Sequence, residues 1–183
     1  MINIISGELR GRQLKVPEGL KVRPTSNKIR AAMFNVLRNM IDFPECCALD
    51  LYAGSGALGC EALSHGVSQS IFVESQPPAY QVLSANITAL KLESRSRLYN
   101  LTAINFLRQF KLPHEPLLIF LDPPYLQGEY DLILPALASC FMHQDSMLVI
   151  ESPDVLEYRI PKEFDIIKTK RYGHVKVNFL TKI

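Results

Sequence analysis

The sequence predicts a doubly wound α/β domain preceded by a short basic extension. Three observations predict it. Five short apolar runs alternate with helical stretches, a glycine-rich turn opens the first of those helices, and an Asp-Pro-Pro-Tyr turn ends the fourth run. Runs that are apolar throughout mark strands covered on both faces, as in a parallel sheet flanked by helices. A length of 183 residues suits one such domain with a sizeable core.

The elements follow in order. Ile2–Ile5 and Gln13–Val16 read as two short strands joined by a Gly-rich turn. After Pro24, Thr25 or Ser26 can cap a helix, and Ile29, Met33, Val36, Leu37, Met40 and Ile41 recur at helical spacing to about residue 41. The division expected is therefore an extension over 1–41 and a core over 42–183. Within the core, strands are predicted at Cys47–Leu51, Ser70–Glu74, Arg97–Leu101, Leu117–Asp122 and Met147–Ser152. Helices are predicted at Ala57–His65, Pro78–Leu90, Ala103–Phe110 and Tyr130–Phe141. Asp165–Arg171 and Val175–Leu180 flank Tyr172-Gly173-His174 and read as an antiparallel hairpin closing one edge, for seven strands in all.

Composition narrows the function classes. The apolar fraction of 48% is that of a globular chain, which argues against disorder. No run of eighteen apolar residues offers a membrane span, and the first residues lack the basic and apolar regions of a secretory signal, so a soluble cytoplasmic protein is expected. Cys46, Cys47, Cys60 and Cys140 show no CxxC spacing and the four histidines lie far apart, so neither a disulfide framework nor a metal site is expected. The net charge of +2 conceals a segregation: residues 1–38 carry +6, residues 39–158 carry −9 and residues 159–183 carry +5. Basic ends around an acidic middle point to a polyanion met by the ends, the N-terminal one above all.

Asp50-Leu51-Tyr52-Ala53-Gly54-Ser55-Gly56-Ala57-Leu58-Gly59 satisfies GxGxxG in a strand–turn–helix setting, which suits a nucleoside ligand. Glu74, at the end of the next strand, can accept hydrogen bonds from ribose hydroxyls. Asp50 would repel a pyrophosphate but favour the ammonium of a methionine moiety, which favours S-adenosylmethionine over a dinucleotide. A carboxylate that merely stiffens the turn is the plainer reading of Asp50.

Asp122-Pro123-Pro124-Tyr125 follows directly on an apolar strand, at the carboxyl edge where open α/β sheets bind ligands. Proline fixes φ and restricts the residue before it, so the corner is stiff. An amino group conjugated to a purine or amide carbonyl is a poor nucleophile because its lone pair is delocalised. If Asp122 and the Pro123 carbonyl accept its two N–H bonds, that lone pair can turn out of plane toward a sulfonium methyl, while Tyr125 stacks on the planar group. The base must leave any helical stack to reach the corner.

Together these residues resemble a known family. Asp50–Glu61, Asp122–Tyr125, Gly11-Arg12 and Arg23-Pro24-Thr25 are similar to the bacterial small-subunit ribosomal RNA guanine-N(2)-methyltransferases, the RsmD family, along nearly the whole chain. The resemblance implies a Rossmann-like class I methyltransferase fold, S-adenosylmethionine as donor, and a guanine of 16S rRNA in the assembling small subunit as target. A monomer is expected. The resemblance assigns Asp122, Pro123 and Tyr125 to the amine site. Asp50, Tyr52, Gly54, Gly56, Glu74 and Thr102 would line the cofactor cleft. Arg10, Arg12, Arg23, Lys28 and Arg30 would meet RNA. Thr102 stands where the family often has Asp or Asn and offers a shorter, less acidic contact to the adenine end. Asn27 and Ala31 stand where acids are usual, which is expected to leave Lys28 and Arg30 less balanced and to strengthen phosphate contact.

Other classes explain less. A DNA-adenine or protein-amide methyltransferase could use the same corner, although the chain is short for a separate DNA-recognition domain. A nicotinamide oxidoreductase gives the Asp-Pro-Pro-Tyr turn no task, and a non-catalytic RNA-binding module accounts only for the charge pattern.

Overall fold

A computed structural model of the chain describes residues 1–17, 26–124, 128–140 and 143–183. The central feature is a seven-stranded sheet. Its strands are β3 (Cys47–Asp50), β4 (Gln69–Val73), β5 (Ser96–Tyr99), β6 (Leu117–Leu121), β7 (Met147–Pro153), β8 (Phe164–Tyr172) and β9 (Val175–Lys182), in the order β5-β4-β3-β6-β7-β9-β8. The first five are parallel, while β9 runs antiparallel between β7 and β8. The predicted hairpin is therefore present, with its second arm against the parallel strands and its first arm at the edge. Helices α2 (Ala57–Ser64), α3 (Pro77–Leu90), α4 (Ala103–Gln109) and α5 (Glu129–Cys140) make the crossovers.

Strand side chains alternate between two apolar clusters. Ala48, Leu118, Phe120, Val149 and Phe179 point to the face covered by α2 and α3. Leu49, Ile119, Leu121, Leu148 and Leu180 point to the face covered by α4 and α5. This alternation is the geometry of a strand. Both clusters are buried, so the central strands β3 and β6 are buried along their whole length, whereas the edge strands β5 and β8 are not.

The N-terminal segment is built into the first cluster. Strands β1 (Ile2–Asn3) and β2 (Gln13–Leu14) pair antiparallel, shorter than predicted, and bury Ile4 and Leu14 beside Ile29, Met33, Phe34 and Leu37 of α1 (Asn27–Leu37). Ser26 caps α1, its Oγ accepting the Ile29 N–H at 3.3 Å; the alternative cap Thr25 lies outside the described residues. The helix ends at Leu37 rather than near 41 because the next bonds tighten: the Asn39 and Met40 N–H groups donate to the carbonyls three residues back. Met40 and Ile41 still pack on the cluster from that turn.

One glycine of the turn has a packing task. A Cβ on Gly59 would stand 2.3 Å from Phe72 Cε1 and 2.7 Å from Ser70 Oγ. Its absence lets α2 lie against β4, and so brings the start of α2 over the carboxyl ends of the strands.

Candidate active site

The chain order runs from β3 outward to β4 and β5, then returns to the other side of β3 with β6 and β7. The crevice between β3 and β6 is thus the point where strand order reverses, the usual ligand site of an open α/β sheet. Register aligns the strand ends there, since Asp50 lies opposite both Phe72 and Phe120. Consequently Asp50, Glu74 and Asp122 emerge at one edge from three neighbouring strands. A cavity of about 300 Å³ opens at this edge. Its lining includes Asp50, Tyr52, Gly54, Glu74, Thr102, Asp122 and Pro124. The glycine-rich turn and the Asp-Pro-Pro corner, read separately from sequence, therefore share one cavity.

Four carboxylates surround this cavity: Asp50, Glu74, Asp122 and Glu129. Among the described residues that line it there is no Lys, Arg or His. Nor do any His, Cys, Asp or Glu side chains among the described residues converge in a group that could hold a metal ion.

Each acid is held differently. Glu74 accepts the Gly54 N–H on Oε2 at 2.8 Å and the Gln76 N–H on Oε1 at 2.7 Å, so its carboxylate is fixed with further lone pairs on each oxygen. Asp50 is 2% exposed, and its Oδ2 accepts the Gly59 N–H at 3.0 Å. Burial raises its pKa to about 7; the Gly59 hydrogen bond opposes that rise and the charges of Asp122 and Glu74 add to it. Asp50 thus both stiffens the turn and faces the cavity. Glu129, at the start of α5, accepts the Tyr52 hydroxyl at 2.5 Å. Burial and this acid together push the Tyr52 hydroxyl pKa well above its ordinary value.

The turn itself needs its glycines. Gly54 has φ +53° and Gly56 φ +83°, both in the left-handed region that disfavours a side chain. Gly56 is also crowded, with a Cβ there falling 2.6 Å from Leu83 Cδ1. Thr102 lines the cavity, but its Oγ1 also caps α4 by accepting the Asn105 N–H at 3.3 Å. Pro123 is buried at the corner, and Tyr125 lies outside the described residues.

The basic residues separate into distinct groups. Arg10, Arg12 and Lys28 are exposed and none lines the cavity, while Arg23 lies outside the described residues. Arg12 Nη2 donates to the Ala89 carbonyl at 3.3 Å, near the carboxyl end of α3, where the helix dipole favours a cation.

Arg30 is a correction. It is 0% exposed, its Nε lies 3.3 Å from Glu61 Oε2, and its Nη2 donates to the Asn3 carbonyl and to Asn27 Oδ1. It cannot reach a phosphate, and the expected gain in phosphate contact does not apply to it. The signal lies in the helix: Arg30 precedes Met33, Phe34 and Leu37 at spacings of three, four and seven, on the buried face.

Sequence reasoning also missed cavity residues. Glu129 lies close beyond the proline corner, where an acidic first turn of a helix is the available signal. Val16 and Pro17, which form part of the wall, have no local signal because their position depends on a distant helix.

The family described as "Conserved hypothetical protein 95" matches residues 2–181. The chain is 40% identical over 127 residues to ribosomal RNA small subunit methyltransferase D of Escherichia coli strain K12, a match covering 69% of this chain and 62% of that relative's length. It is 31% identical over 171 residues to the protein of the same name from Buchnera aphidicola subsp. Acyrthosiphon pisum, covering 92% of this chain and 87% of the relative. The solved Escherichia coli structure of yhhF superposes with a TM-score of 0.85 at 30% identity, covering 99% of this chain and 97% of that one. The chain therefore belongs to the Conserved hypothetical protein 95 family, that of the ribosomal RNA small subunit methyltransferase D proteins.

Proposed function

We propose that this chain transfers a methyl group from S-adenosylmethionine to the exocyclic 2-amino group of a guanine in small-subunit ribosomal RNA. The observation that carries the reading is the meeting of the Gly54–Gly56 turn and the Asp122–Pro124 corner at one cavity. The relatives' name supports the ribosomal substrate.

The residues present fit this donor. A cleft with four carboxylates and no cation among its described lining residues suits a ligand bearing ammonium and sulfonium charges, and disfavours the pyrophosphate of a dinucleotide. Leu51, Leu58 and Leu101 supply apolar surface beside it. Glu74 would take the ribose hydroxyls on its remaining lone pairs, and Asp50 and Asp122 would face the cationic end. When bound, the donor supplies an electrophilic methyl carbon on a positively charged sulfur.

Asp122 and the Pro123 carbonyl would accept the two N–H bonds of the guanine amine and turn its lone pair out of the ring plane. Neither proline has an N–H to compete for those acceptors. In this reading Tyr125 stacks on the base. Positioning of this kind contributes up to roughly 7–11 kcal/mol to lowering a barrier.

The test is methyl transfer from labelled donor to small-subunit particles taken from cells lacking this protein. Asp122→Ala should lower the rate about 100-fold or more, as removal of an oriented polar group does elsewhere. Activity equal to wild type in that variant would remove the mechanism. Mass spectrometry of the product RNA would identify the nucleotide, and methylation at any position but a guanine 2-amino group would overturn the assigned target.

A further inference from the structure

Two walls of the cavity come from separate parts of the chain: Ser55 in the glycine-rich turn, and Val16 with Pro17 at the exit of β2. A single side chain joins them. Asn86 on α3 is 3% exposed. Its Oδ1 accepts the Lys15 N–H at 2.9 Å, and its Nδ2 donates to the Lys15 carbonyl at 2.9 Å. The second hydrogen of Nδ2 goes to the Ser55 carbonyl at 2.9 Å. Asn86 thus treats Lys15 as a neighbouring strand would, and gives its remaining donor to the turn.

Both donors of this buried amide are used, so neither wall can shift without leaving a polar group unpaired out of water. Lys15 is flanked on one side by Val16 and Pro17 in the cavity wall and on the other by the segment bearing Arg10 and Arg12. We propose that Asn86 is a positioning residue that makes RNA binding by this arm and ligand binding in the cavity favour one another. A filled cavity fixes Val16 and Pro17 in one position and, through the Lys15 bonds to Asn86, sets the position of the segment bearing Arg10 and Arg12. RNA held by that segment fixes the same wall for the ligand. This inference rests on the reading given above, that the arm meets RNA and the cavity takes the methyl donor.

The test is a thermodynamic cycle with S-adenosylhomocysteine and small-subunit particles lacking the modification. In wild type, each ligand should tighten the other by the same factor, at least about fivefold, because linkage is reciprocal. Asn86→Ala should bring that factor close to one. Leu90→Ala, another buried truncation on the same helix, should lower stability yet keep the factor, which separates positioning from mere support of the fold. If Asn86→Ala does not fold, Asn86→Ser puts one small neutral hydroxyl in place of the three amide bonds, brings no buried charge, and should lose the factor likewise. Independent binding of the two ligands in wild type, or a factor retained in a folded Asn86 variant, would overturn the proposal while leaving the functional reading intact. Particle binding that ignores Arg10→Ala and Arg12→Ala, or no S-adenosylhomocysteine binding at all, would instead remove that functional reading.

Discussion

Asp50 illustrates how one residue can both hold a turn and face a cavity. Its ordinary pKa of 3.8 is raised to about 7 by burial, with neighbouring acids adding to the rise. An acid raised in this way favours the fold while protonated, and that contribution is lost as pH rises through about 7. A cationic ligand has the opposite preference, for the ionised carboxylate. Affinity for S-adenosylmethionine should therefore increase from about pH 6 to about pH 8, and Asp50→Asn should flatten the profile. Calorimetric titration at several pH values measures this, and a flat wild-type profile would contradict it. Asp50, Glu74 and Asp122 are legible in the sequence because each ends an apolar run, so strand direction alone brings them to one edge. The burial of Arg30 is harder to read because its partner Glu61 lies in another helix, and its own chemistry does not distinguish a paired buried guanidinium from a free surface one.

The N-terminal segment and α2 show the same dependence among elements. Glu61, buried on α2, accepts the Ile5 and Ser6 N–H groups, the Ser6 hydroxyl and the Arg30 guanidinium. Gly7 lies so close to the Ser64 carbonyl that a Cβ would stand 1.9 Å from it. One carboxylate thus pins the start of the chain and the first helix to the core. Glu61→Ala would strand the Arg30 charge and several backbone donors, and should cost about 3–5 kcal/mol in a denaturant titration. A loss within about 0.5 kcal/mol would show that the ion pair is dispensable, as surface substitutions usually are. The main strands and helices are readable because periodicity and caps are local signals. The shortness of β1 and β2 and the early end of α1 are not: Ile5, Ser6 and Lys15 are drawn to Glu61 and Asn86, far away in sequence, and the last turn of α1 tightens with no glycine or proline to mark it.

For the molecule as a whole, the segregated charge divides by location. Arg10, Arg12 and Lys28 remain available at the surface, whereas Arg30 is an internal counter-ion. Replacing the three surface cations with Ala should weaken particle binding and reduce its logarithmic salt slope by about one for each phosphate no longer neutralised. Affinity for S-adenosylhomocysteine without RNA should stay unchanged. A fall in that affinity would assign these cations to the nucleoside cleft instead. The overall architecture is legible from alternation alone, while the joining of arm and cleft through Asn86 is not, because an asparagine inside an amphipathic helix carries no sign of its distant partners.

The sheet remains open, and its two margins are β5 and β8. Arg97 stands on the first, and Lys168 and Lys170 on the second. A second molecule adding its own margin in register would bring like charges together across unpaired backbone groups. Like charge at both margins therefore disfavours growth of the sheet beyond its seven strands, and on β8 the cations that do so belong to the basic C-terminal segment, which a composition count alone would credit to polyanion binding.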